Sequence, residues 1–194
     1  MCRSNRKPID TRALRHALGH FPTGVAVVTT APEGCAPAGM TINSFHSISL
    51  EPALVGWCIA RQAGSYRTFQ RCGQFTFSFL DENQRYVADR FARPGVDRFA
   101  GLDSSGPAGP VIPGACAWLR CRLYRQVALG DHLLIVGKVS AFGTSPGHPL
   151  VFAGGKYGSV QRPVERELPH PAALLAAGKA DFTTINRTSA GGGL

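Results

Sequence analysis

Phe75, Phe77 and Phe79 alternate with Thr76 and Ser78 in the run Gln74 to Leu80 (QFTFSFL). A period of two is the period of a β-strand, so this segment is extended and carries its aromatic rings on one face. Two further runs share the β signature. Val25 to Thr30 is β-branched, and Ala53 to Ala60 (ALVGWCIA) is continuously apolar, the pattern of a buried strand. A turn over Ala31 to Pro37, with Pro32 and Gly34, joins the first of these to a strand over Ala38 to Asn43. Downstream, Ala115 to Val127 places Ala117, Leu119, Cys121 and Leu123 inward and Trp118, Arg120 and Arg122 outward. Leu129-Gly130-Asp131 then turns the chain into a long strand, His132 to Phe142, and Pro149 to Ala153 adds a last one before the glycines 154 and 155.

Helical patterns are few. Asp10 or Thr11 caps a helix over Thr11 to His20, with Leu14 and Leu18 on one face. Ser65 caps another through Cys72, and a third spans Gln84 to Ala92. Arg93 to Pro113 reads as a long loop. The 23 Gly and 14 Pro in 194 residues favour many turns and short strands. The sum is roughly six or seven strands and three peripheral helices that do not alternate regularly. That argues against a doubly wound parallel sheet and favours a closed antiparallel β-barrel. Residues 1–10 read as a flexible start, 11–160 as one domain, and 161–194 as an extension with little core and a short helix around Pro171 to Ala177.

The net charge of +9 points to an anionic partner. The Arg residues are scattered, and no helix-turn-helix, zinc finger or aromatic RNA-binding strand occurs, so a phosphate-bearing small molecule is expected rather than nucleic acid. The six Cys show no C-x-x-C pair, which argues against structural zinc and for a reducing, cytoplasmic compartment. No signal peptide is apparent, and no run reaches the ~18 to 20 apolar residues that span a bilayer, so no membrane partner is expected.

Familiar catalytic patterns are missing. There is no G-x-G-x-x-G, no P-loop and no G-x-S-x-G. Asp131 and His132 are neighbours at the start of a strand, where successive side chains oppose, so a triad using both is awkward. His16 and His20 lie four apart without an intervening Glu and read as a solvated helix face; no metal is expected. The segment Gly39 to Leu50 gathers Thr41, Asn43, Ser44, Ser47 and Ser49 among apolar residues. Such short donors suit a planar ligand with phosphate, and they suit equally a loop that bonds to itself.

Five motifs in one order carry a resemblance. They are Phe21-Pro22-Thr23-Gly24-Val25 with Val27 to Thr30, Gly39-Met40-Thr41 with Ser44-Phe45 and Ser47 to Leu50, Asp97-Arg98-Phe99, Gly130-Asp131-His132, and Tyr157 after glycines. From about Leu14 to Tyr157 the chain resembles the short-chain flavin reductases, the reductase components of two-component flavin-dependent monooxygenases. The resemblance implies a mainly β fold, an antiparallel Greek-key split β-barrel with a few short peripheral helices, assembled as a homodimer. It implies FMN or FAD as flavin, NADH or NADPH as hydride donor, and a separate monooxygenase as partner. Carried over by position, Thr41, Ile42, Asn43 and Ser44 would line the flavin ring and ribityl chain. Ala60, Arg61, Ser65 and Arg98 would lie near its phosphate, and Tyr157 would belong to the same site. Gly130, Asp131 and His132 would face the nicotinamide, with His132 as the catalytic candidate. Ser78 stands where the family often has Asn, Ala53 where a second Pro is frequent, and the loop Arg61 to Ser65 departs most. A flavin-binding split barrel with a different oxidase or tailoring reaction, and a non-catalytic basic nucleic-acid-binding protein, are the alternative readings.

Overall fold

A computed structural model describes residues 9–103 and 106–161. The readings of a flexible start over residues 1–8 and of an extension with a helix near Pro171 lie outside the described residues. The described residues 9–160 form one compact unit. Asp10 is ordered there as the N-cap of α1 (Thr11–Leu18): its carboxylate accepts the amides of Arg12 and Ala13.

Among the described residues ten strands follow in two antiparallel sheets. They are β1 (Thr23–Gly24), β2 (Ala26–Thr30), β3 (Ala38–Ile42), β4 (His46–Leu50), β5 (Ala53–Ala60), β6 (Gln74–Phe79), β7 (Ala117–Leu129), β8 (His132–Thr144), β9 (Leu150–Ala153) and β10 (Lys156–Ser159). The seven-stranded sheet has the order β3-β2-β6-β7-β8-β5-β4, and β1-β9-β10 form the smaller sheet. Two helices, α2 (Tyr66–Arg71) and α3 (Arg85–Ala92), lie beside them. The expected closed barrel is corrected to a split one: the edge strands β3 and β4 pair with β2 and β5 and not with each other. The fold is the antiparallel, mainly β split barrel with few short helices that the resemblance implied.

The expected strands all form, and β1, β4 and β10 add to them. Two strands are long rather than short, because β7 and β8 run 13 residues each as one hairpin. Strand β2 is buried on both faces. Val28 joins Trp57, Phe69, Phe75, Phe77 and Ile135 in the barrel core, whereas Val27 joins Leu80, Val87, Phe91 and Leu150 in a second core beneath α3. Each fully buried aromatic or aliphatic side chain of this size contributes roughly 1.5–3 kcal/mol.

The polar side of β6 is also fully buried, and a loop covers it. Thr29 donates to the carbonyl of Pro110 (2.7 Å), Thr76 to that of Gly109 (3.3 Å), and Ser78 accepts the amide of Ile112 (2.9 Å). Gly109 makes this approach feasible. Its φ is +75°, and a Cβ there would sit 2.7 Å from the Thr30 nitrogen. A three-way backbone junction joins the two sheets: Val25 donates to Leu150, Leu150 to Leu80, and Leu80 to Val25.

Candidate active site

The residues singled out in the sequence fall into three neighbouring groups. The first lines a cavity of about 450 Å³ between the turn leading into β3, the start of α2 and the loop after α3. Arg98 stands in its wall. Its Nε and one terminal nitrogen donate to the carbonyl of Arg93 and the other to that of Gly39. A guanidinium carries five N–H groups, so two remain for a ligand. The loop presenting it is tied down at both ends. The Asp97 carboxylate accepts the amides of Phe99 and Ala100, and Arg90 donates to the carbonyls of Asp97 and Ala100. Gly39 admits the aromatic pair Phe91–Phe99 beside β3, since a Cβ would lie 2.7 Å from the Phe91 ring.

Ser65 lies in the same wall but does not cap α2 through its side chain; its hydroxyl donates to the Met40 sulfur at 3.6 Å. Its φ and ψ of −87° and 0° are not those of an extended cap residue, which is why the expected capping bond does not form. Thr68 and Gly64 line this cavity and were not expected. The signal for Thr68 is its position three residues after Ser65, one helical turn on.

The second group surrounds a smaller apolar cavity of about 210 Å³, lined by Val25, Thr41, Ile42, Asn43, Ala92, Phe152 and Tyr157. Phe152 and Tyr157 are cross-strand partners whose rings meet edge to face at 5.5 Å, and Arg85 lies over the Tyr157 ring. Burial raises the Tyr157 phenol above its ordinary value, with Asp89 adding to the rise and Arg85 opposing it. The Thr41 hydroxyl is spent on the Ala88 carbonyl (2.7 Å). Ser44 lines neither cavity among the described residues. It donates to the carbonyl and accepts the amide of Cys58, clamping the β3–β4 connection to β5.

The third group is Ala60, Arg61, Gly130, Asp131 and His132. Ala60 pairs with His132 across β5 and β8, and the Arg61 amide donates to the Asp131 carbonyl (2.9 Å). Asp131 Oδ1 lies 2.7 Å from His132 Nδ1, so the expectation that these neighbours oppose each other is corrected. Asp131 sits in the turn before β8 begins, where strand alternation does not yet apply. The hydrogen bond to His132 and the charge of that ring hold the Asp131 carboxyl below its usual range. This group lines neither cavity among the described residues; the connection Arg61 to Ser65 joins it to the first.

Residues 18–161 match the family model described as the flavin reductase like domain. This chain belongs to that family. The reductase subunit Stc3 of stachydrine N-demethylase from Rhizobium meliloti is 41% identical over 76% of this chain and 65% of that protein. The FMN reductase (NADH) SmoA of Agrobacterium fabrum is 42% identical over 79% of this chain and 88% of its own. Among solved structures, the NADH:FAD oxidoreductase SgcE6 of Streptomyces globisporus, in complex with NAD and FAD fragments, superposes with a TM-score of 0.75. It is 35% identical and covers 82% of this chain and 98% of that one. The flavin reductase-like chain spans 65%, 64% and 46% of the length of the first three relatives, less than two thirds of each.

Proposed function

We propose that this protein is an NAD(P)H:flavin oxidoreductase that reduces FMN or FAD and passes the reduced flavin to a separate monooxygenase. The observation that carries this is the donor set of the larger cavity within a flavin reductase-like domain. The Thr68 hydroxyl and the two spare N–H groups of Arg98 stand in the wall of a cavity of about 450 Å³; the Ser65 hydroxyl joins them by turning from the Met40 sulfur, and the Asp97 carboxylate in the same wall is engaged by the amides of Phe99 and Ala100. That set fits a phosphate group, because a guanidinium fork matches its oxygens and hydroxyls complete the shell. Bound flavin supplies the hydride acceptor and the reduced nicotinamide supplies the hydride.

The chain's own part is binding and orientation. Thr41, Ile42, Asn43 and Tyr157 form an apolar, aromatic-edged slot. Apolar walls exclude water and favour a planar ring. Ser44 fixes the course of the chain leaving that slot. Asp131 holds His132 by Nδ1, which leaves Nε2 as the ring atom free to meet a ligand. Arg61 and Ala60 keep this turn beside β5. The five described cysteines are free thiols, in keeping with a cytoplasmic protein, and among the described residues no helix is long and apolar enough to cross a membrane. A homodimer is part of the same proposal.

The test is steady-state oxidation of NADH and NADPH by the purified chain, followed by nicotinamide absorbance, with and without added FMN and FAD. Flavin-dependent oxidation with at least one pair is expected. Absence of any in all four combinations would refute the proposal.

A further inference from the structure

Apart from the two cavities of the candidate active site, a cavity of about 360 Å³ opens between α1 and the turn joining β9 to β10. Its walls are Arg12, Arg15, His16, Gly19, His20, Gly154 and Gly155. Positions 12, 15, 16, 19 and 20 fall on one face of a helix and its continuation, so the chain directs four basic side chains into one space. No carboxylate lines it, and among the described residues neither guanidinium has a hydrogen-bond or ion-pair partner. The floor is fixed: the Gly154 amide donates to the Gly19 carbonyl (2.7 Å), which ties the turn to the helix end. His20 donates through Nδ1 to the His16 carbonyl (3.0 Å), and the two rings meet edge to face at 4.9 Å.

We propose that this cavity binds a phosphate or diphosphate group. Two guanidiniums that line one cavity without a carboxylate repel each other, and an anion there relieves that repulsion while offering oxygens to their N–H forks. The same two charges argue against a metal ion on His16 and His20, which would otherwise be a plausible imidazole pair. The volume lies at the small end of ligand pockets, the size of an inorganic diphosphate or one end of a nucleotide. The net charge of +9 draws such anions from a distance. The site shares the β9–β10 hairpin with the active-site slot, whose Phe152–Tyr157 pair is one residue from the turn. The anion therefore has two sources, a free phosphate or diphosphate and the phosphate of a nucleotide held nearby.

The test is isothermal titration calorimetry of inorganic pyrophosphate into the full chain, compared with an Arg12→Gln/Arg15→Gln variant. Helix α1 buries no residue, so the variant is expected to keep the fold, and a thermal melt checks this. With the Arg98 cavity removed from both proteins by an Arg98→Gln background, the wild-type Arg12/Arg15 pair should show one saturable site, weakened at least about tenfold in the variant. An Arg12→Lys/Arg15→Lys variant should recover part of that loss. Equal affinity in wild type and the Gln variant, or heats that never saturate, would overturn the site. Titrating NADPH and NADH into both proteins separates the sources. A nucleotide source predicts that NADPH competes with pyrophosphate and weakens in the Gln variant, whereas a free-anion source leaves both nucleotides unchanged. None of these readouts requires flavin reduction, so the site and the proposed activity stand or fall separately.

Discussion

Asp131 decides which nitrogen of His132 is available. With Nδ1 engaged at 2.7 Å, the imidazole is held in one orientation on a turn that is otherwise exposed. If His132 meets the nicotinamide, His132→Ala should slow flavin reduction about tenfold or more while leaving flavin affinity within about twofold. Asp131→Asn should slow it less and should also alter its pH profile. Rapid-mixing absorbance at saturating flavin measures both, and an unchanged rate in His132→Ala removes that residue from the site. The cysteines offer a second check on single side chains. Burial pushes the Cys72 thiol up to about 11 and the Cys121 thiol to about 12, whereas Cys35 is exposed. At pH about 8 only about one Cys72 in a thousand is a thiolate, fewer still at Cys121. Iodoacetamide followed by peptide mass spectrometry should label Cys35 in the folded protein and spare those two until denaturant is added. The sequence carried this much for Cys121, which occupies an inward position of an alternating strand. For Asp131 it misled, because the alternation that puts neighbours on opposite faces begins one residue later.

Among the elements, the loop over β6 shows where local pattern stops informing. The alternation of Phe75, Phe77 and Phe79 with Thr76 and Ser78 revealed two faces, but the covering segment has no periodicity, so its destination was not legible. It lies there because Thr29, Thr76 and Ser78 satisfy its backbone. Ser78→Ala would strand the buried Ile112 amide and should cost about 1–3 kcal/mol. Gly109→Ala adds a Cβ within 2.7 Å of the Thr30 nitrogen at a positive φ and should cost about 3 kcal/mol. Urea unfolding of the two variants tests both values, and a loss below about 0.5 kcal/mol in either would mean the loop is not held as described. Strand β4 failed to register for a different reason. Ser47-Ile48-Ser49-Leu50 does alternate, yet Ser is a poor strand former. The strand forms as a sheet edge with Leu50 91% exposed and Ile48 48% exposed, so no burial pattern marked it. In the hydroxyl-rich segment of residues 39–50, self-bonding and cavity lining occur together. Thr41 and Ser44 bond within the protein, and Thr41, Ile42 and Asn43 also line a cavity.

At the scale of the molecule, the barrel and the small sheet are joined near Asp81. Val25, Leu80 and Leu150 exchange backbone hydrogen bonds there, and Asp81 bridges to Pro149. The Asp81 carboxylate serves both sides of the joint. It accepts the amide of Asn83 on one and the amide of His148 on the other, and the Cys116 thiol donates to it. Those backbone bonds from Asn83 and His148, in that order, hold its carboxyl below the ordinary value. A carboxylate whose folded value is depressed adds stability that is complete above the unfolded value of about 3.9 and is lost as pH falls through the folded one. Asp81→Asn keeps one acceptor oxygen and loses the other, so it should lower the urea midpoint at pH 7. The gap to wild type should narrow as pH drops below about 4, because the unfolded wild-type carboxyl then takes up a proton first and the folded one, held lower, follows only as pH falls further. Urea midpoints for both proteins across that range provide the measurement. A gap that stays constant down to the acid limit would show that the carboxylate's charge plays no part in joining the two sheets.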